Sequence, residues 1–170
     1  MTERRHDQSA DADALPHGLR CLLPHAAPRT PDELHAWLRL TLGVVVPRAV
    51  LIEGCASPFD YLCHAFFEPS ESDADAPGAP PRDAVVWAAR GAGKTFYAAV
   101  ATALDLVFKP GVQVRILGGS LEQSKRMHEH LRTLFDKPAL APLIARGAGG
   151  RAAVTERSIT LANGSRAEIL

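Results

Sequence analysis

No apolar run in this 170-residue sequence approaches the roughly 20 residues that a bilayer-spanning helix needs. Runs such as residues 42–46 and 49–52 are short and separated by Pro47 and Arg48, so no membrane-spanning segment is expected. The first twenty residues, MTERRHDQSADADALPHGLR, mix acids with bases and lack the apolar centre of a secretion signal; a cytoplasmic protein is expected. Cysteine is scarce. Cys21, Cys55 and Cys63 make an odd number without Cys-x-x-Cys spacing, which suits reduced thiols better than a disulfide framework or a structural zinc site. Cys63 beside His64 admits a metal-ligand reading, against the plainer one of two buried structural residues.

Net charge is also missing, with 19 Lys and Arg against 19 Asp and Glu, yet the balance hides an asymmetry. Residues 1–81 carry 6 basic and 12 acidic side chains, and residues 82–170 carry 13 and 7, so the halves stand at −6 and +6. A basic half offers a surface to a polyanion; equally, the halves attract each other or have differently solvated faces. What is present in quantity is apolar residues, 46% of the chain, enough for one ordinary domain with a sizeable core and too many for a wholly disordered chain.

Residues 1–29 read as a disordered tail, rich in Ala, Asp and Pro without sustained periodicity. A small helical region is expected over 30–67. Thr30-Pro31-Asp32-Glu33 supplies an N-cap, a proline at the first helical position and first-turn acids, ahead of Leu34, Trp37, Leu38 and Leu42 at helical spacing; Gly43 and Pro47 end that helix. A second helix is expected from Ser57-Pro58 to Phe67, with Phe59, Leu62, Cys63 and Phe66 on one face. Residues 68–83, EPSESDADAPGAPPRD, read as a flexible linker. From residue 84 the pattern alternates: a buried strand over 84–88, a helix over 94–108, a strand over 112–117, a helix over 121–135 begun by a capping box at Ser120 and Gln123, and a terminal hairpin about Asn163-Gly164-Ser165. Strands alternating with helices predict an α/β domain with crossover helices.

The chemistry concentrates between the first strand and its helix, in VVWAARGAGKTFYAAV. A phosphate-binding loop needs backbone N–H groups turned on one anion, hence small residues in unusual conformations, with a helix N-terminus behind them. The pattern G-x-x-x-x-G-K-[ST] falls on residues 88–95, departing only at its first position, where Ala88 stands for glycine. Gly91, Ala92 and Gly93 let the backbone approach a phosphate chain, Lys94 reaches its β and γ oxygens, and the Thr95 hydroxyl holds Mg²⁺; the expected cofactors are ATP and Mg²⁺. The plain alternative is a small-residue turn with an exposed lysine.

Arg90 puts a second cation four residues before Lys94. RGAGKT after VVWAA, then LDLVFKPGVQVRILGGSLEQSKRMHEHL and LANGSRAEIL, resembles the ATPase part of the large terminase subunit of tailed bacteriophages, the DNA-packaging motor. The resemblance covers residues 85–170, about half of the chain. In that family the phosphate loop often lacks its leading glycine and carries an arginine four residues before the lysine. The resemblance implies a P-loop NTPase fold, a parallel sheet with flanking helices, here in its N-terminal part over 84–170 and incomplete. It implies nucleotide-site roles for Arg90, Gly93, Lys94 and Thr95, and double-stranded DNA, a small terminase subunit and a portal as partners. The segment 118–126 corresponds to a region that lies near nucleic acid in related translocases, so Lys125 and Arg126 are candidate contacts to the DNA backbone; the alternative is a solvated helix face. The upstream glutamine that often contacts adenine in such ATPases has no counterpart between Gln8 and the loop.

Hydrolysis needs an acidic motif, apolar residues ending in Asp-Glu at a strand end, to hold Mg²⁺ through water and orient the attacking water. The sequence has no such motif, and no cluster of carboxylates for a nuclease. The expectation is a truncated packaging ATPase, deficient in hydrolysis alone. A piece of a helicase-like P-loop translocase and a non-enzymatic nucleotide-binding remnant stand as alternatives.

Overall fold

Local capping sets most helix boundaries in the computed structural model, which describes residues 26–50, 52–67 and 84–170. The expected linker over 68–83, most of the expected tail over 1–29, and Cys21 lie outside the described residues. The chain divides into two units, Met1–Val46 and Pro47–Leu170.

In the first unit, α1 spans Pro31–Thr41. Thr30 Oγ1 accepts from the Glu33 amide, and Glu33 Oε2 accepts from the amide of Arg29 at 2.7 Å. The reciprocal cap therefore begins one residue before Thr30. Leu34, Trp37 and Leu38, three and four apart, are fully buried. Gly43 ends the helix at φ 60°, and the Val44 amide returns to Leu38 O at 3.0 Å, the left-handed closure that glycine allows without a Cβ penalty.

The second unit opens with α2, Pro58–Phe66, whose capping box is complete: Ser57 Oγ accepts from the Asp60 amide and Asp60 Oδ2 from the Ser57 amide. Phe59 and Leu62 are buried, whereas Cys63 and Phe66, expected on the same face, are only half-buried. Phe66 meets Phe108 edge to face at 5.6 Å, tying α2 to α3, which spans Lys94–Phe108. Seven residues between Ala99 and Leu106 are buried, so the middle of α3 is enclosed almost all round. Pro110 and Gly111, the latter at φ 78°, stop it.

Helix α3 leads into β1, Gln113–Ile116, and then α4, Leu121–Phe135. The far strands are β2, Ser158–Thr160, and β3, Arg166–Ile169. The order is β1-β3-β2, with β3 parallel to β1 and antiparallel to β2, so the sheet is mixed. Helices α3 and α4 pack on each other and against β3, around Leu104, Leu131, Phe135, Ile159, Ala167 and Ile169. The turn between β2 and β3 also closes the end of α3. Asn163 Nδ2 donates to Leu106 O at 2.8 Å, and Ser165 Oγ donates to Lys109 O at 2.9 Å.

Two expectations need correction. Residues 84–88 are not a buried strand: they are without strand pairing and exposed, Val85 at 93% and Trp87 at 95%. An apolar run signals burial, but burial requires neighbours, and among the described residues β1 pairs only with β3. The capping box of α4 is shifted: Ser120 Oγ accepts from the Gln123 amide, while Gln123 Oε1 takes the amide of Gly119 in place of that of Ser120. No helix among the described residues is long and apolar enough to cross a membrane.

Candidate functional site

Residues 88–95 form a tight loop delivered directly onto the first turn of α3. The Ala92 amide bonds to Ala89 O at 3.2 Å, and two glycines reverse the chain in the left-handed region, Gly91 at φ 82° and Gly93 at φ 79°. Only glycine adopts this conformation at little cost. Gly93 is also the N-cap of α3 and gives no side-chain cap, so the amides of the first turn keep their donor capacity for a ligand. A Cβ on Gly93 would stand 3.1 Å from Tyr97 Cε2, whereas one on Gly91 would meet open space.

Lys94 folds back over the loop: its Nζ donates to Ala88 O at 2.7 Å and to Ala89 O at 2.8 Å. The sequence pattern thus brings Gly91, Ala92, Gly93, Lys94 and Thr95 into one loop at a helix N-terminus. Arg90, Lys94 and Thr95 are exposed. The Thr95 hydroxyl is exposed on the first turn of α3. Beside the loop, Phe96 makes edge contacts with Tyr97 at 5.5 Å and with His130 of α4 at 5.7 Å; these rings lock the start of α3 to α4.

Lys125 and Arg126 are not presented together. Consecutive helical residues diverge by about 100°, and Lys125 is half-buried while Arg126 is exposed. Along 121–136, Lys125, Arg126 and Arg132 alternate with Glu122, Glu129 and Asp136 at spacings of three and four, the pattern of a charge-balanced solvated face. On the buried side, His128 Nε2 lies 3.0 Å from Thr155 O, joining α4 to the segment ahead of β2. Because a carbonyl oxygen can only accept, Nε2 is the donor of this bond, and Nδ1 is buried without a partner.

A groove of about 400 Å³ lies along the open edge of β1 rather than over the loop, between Val114–Leu117, Ala98 and Thr102 of α3, and Tyr61 of α2. Burial there, and secondarily the negative charge of Asp105, raises the Tyr61 pKa above its ordinary 10.0. Cys55 and Cys63 are free thiols; burial raises the pKa of Cys63, which suits an inert thiol. No group of three His, Cys, Asp or Glu side chains suited to a metal occurs among the described residues.

Comparison with protein-family models, curated proteins and solved structures finds no match to this chain.

Proposed function

We propose that this chain is the ATP-binding part of a DNA-packaging motor ATPase of the terminase type, acting in the cytoplasm of a host cell. The observation that carries the reading is the loop backbone: Gly91 and Gly93 are both left-handed, an uncapped helix begins at Lys94, and the ammonium of that residue is held at the loop. This is the donor arrangement that a polyphosphate requires. In this reading the amides of the loop and of the first turn of α3 hold the β-phosphate, Lys94 leaves the loop carbonyls for the β and γ oxygens, and Arg90 adds a second cation. Thr95 would hold Mg²⁺, which would supply positive charge to the phosphate chain. Double-stranded DNA, a small terminase subunit and a portal are the partners that this reading brings with it.

The test is calorimetry of Mg-ATP binding to the wild type and Lys94→Ala. Weak binding is expected, with a dissociation constant of about 100 μM or above, and at least tenfold loss in the variant, as for removal of a charge-assisted contact. Equal heats for the two proteins would sink the phosphate-loop assignment.

A further inference from the structure

The described residues of the basic half, 84–170, carry an excess of six positive charges, and the structure shows where much of that excess sits. Arg115 and Arg166 share Glu168, and Lys109 pairs with Asp105. The cations of α4 are matched by Glu122, Glu129 and the C-cap residue Asp136, and Arg90 and Lys94 belong to the loop. Apart from Lys137, what remains is residues 144–157, where Arg146, Arg151 and Arg157 stand against one acid, Glu156, an excess of two. All three arginines are exposed, and no ion pair engages them among the described residues.

This segment is built as an arm. Antiparallel bridges join Arg146 to Ala152, Val154 to Ile159 and Ile144 to Leu161. At the tip the Gly147 amide bonds to Arg151 O at 2.8 Å, Gly149 and Gly150 turn at positive φ, and Arg146 Nη1 donates to Gly150 O at 3.2 Å. At the base, Thr155 O meets His128, and the Ile169 amide bonds to Arg157 O at 2.9 Å. Arg151 and Arg157 therefore stand near opposite ends of a pinned segment up to about 20 Å long. Two cations on one exposed segment suit the duplex backbone, which presents one charge per roughly 1.7 Å of axis.

We propose that residues 144–157 form an arm that grips the phosphate backbone of double-stranded DNA through Arg151 and Arg157, with Arg146 holding the tip. The choice of DNA rests on the function proposed above; the surface itself is independent of the nucleotide loop and of Lys125 and Arg126. Contacts to phosphate carry no sequence information, so the grip is sequence-independent.

The experiment measures binding of a labelled DNA duplex by anisotropy between about 50 and 200 mM salt. Arg151→Ala with Arg157→Ala is expected to reduce the slope of log affinity against log salt by about two, at roughly 0.9 per lost contact. Lysine at both positions is expected to restore the slope, which separates loss of charge from loss of fold. Lys125→Ala with Arg126→Ala is expected to leave it unchanged. An unchanged slope in the arm variant, no duplex binding by the wild type, or equal arm-dependent binding to phosphatidylserine vesicles would overturn the proposal. Mg-ATP calorimetry on the same samples separates the two readings. Lys94-dependent heat with an arm-independent slope removes the arm alone, and an arm-dependent slope with Lys94-independent heat removes the nucleotide reading alone.

Discussion

Lys94 Nζ lies 2.7 Å from Ala88 O, six residues back along the chain, so the ammonium of the loop is satisfied by the loop's own backbone. An incoming phosphate must compete with that carbonyl and with Ala89 O. Part of the attraction between cation and phosphate is therefore offset by bonds already made, which is one reason to expect weak nucleotide binding.

The two left-handed glycines separate backbone strain from crowding. Gly91→Ala is expected to cost about 1–2 kcal/mol, the penalty for a Cβ at positive φ. Gly93→Ala should cost more, because its Cβ would stand 3.1 Å from Tyr97 Cε2. Adding Tyr97→Ala should bring the Gly93 cost down to that of Gly91. Urea unfolding measures all three, and equal costs for the two single variants would show that Tyr97 yields freely.

No steady-state ATP hydrolysis is expected. On the proposed reading the loop would position phosphates, but no Asp-Glu motif stands at a strand end of this sequence to orient a water. A phosphate-release assay on monodisperse protein, with Lys94→Ala as control, should show turnover far below about one per second. Lys94-dependent turnover at or above that rate would mean that some other acid does the work.

Alkaline stability should depend on Tyr61. Its pKa is raised in the fold, so above its ordinary value the unfolded chain loses this proton first. The stabilisation is present in full below about pH 10 and is lost as pH climbs through the raised folded value. Urea midpoints from pH 8 to 11 should fall less steeply for Tyr61→Phe than for the wild type. Parallel curves would show that the environment of Tyr61 in solution is not the half-buried one beside Asp105.

Trp87 and Trp37 should report opposite environments, the first 95% exposed and the second fully buried. Trp87→Ser should remove the iodide-quenchable fluorescence and shift stability by no more than about 0.5 kcal/mol, as for an exposed site. A larger loss would mean that residues 84–88 are packed in solution.

The helix ends were legible because their causes are local. Thr30, Ser57 and Ser120 sit within three residues of the amides they cap, and Lys109-Pro110-Gly111 stops α3 where it stands. The loop was legible for the same reason: Gly91 to Thr95 are contiguous. Pairing was not. Nothing in QVRI identifies RAEI, 53 residues on, as its parallel partner, and the apolar run at 84–88 gave no hint that its side chains stand in solvent. The arm was missed because each of its arginines, taken singly, is an ordinary surface residue; two arginines bracketing a glycine-rich turn at 146–151 were the available signal.

The contacts from Asn163 and Ser165 to the end of α3 set an order of events in time. The last carbonyls of this helix belong to residues 106–109, and their side-chain partners lie 56–57 residues further along. At a synthesis rate of about 5–20 residues per second, α3 waits on the order of 3–11 s after emerging before its C-terminal end can be closed. During that interval the 88–95 loop precedes a helix whose C-terminal end is still open. A nascent chain paused before Asn163 should therefore show rapid amide exchange at the C-terminal turn of α3, and that exchange should slow once the β2–β3 turn has been made.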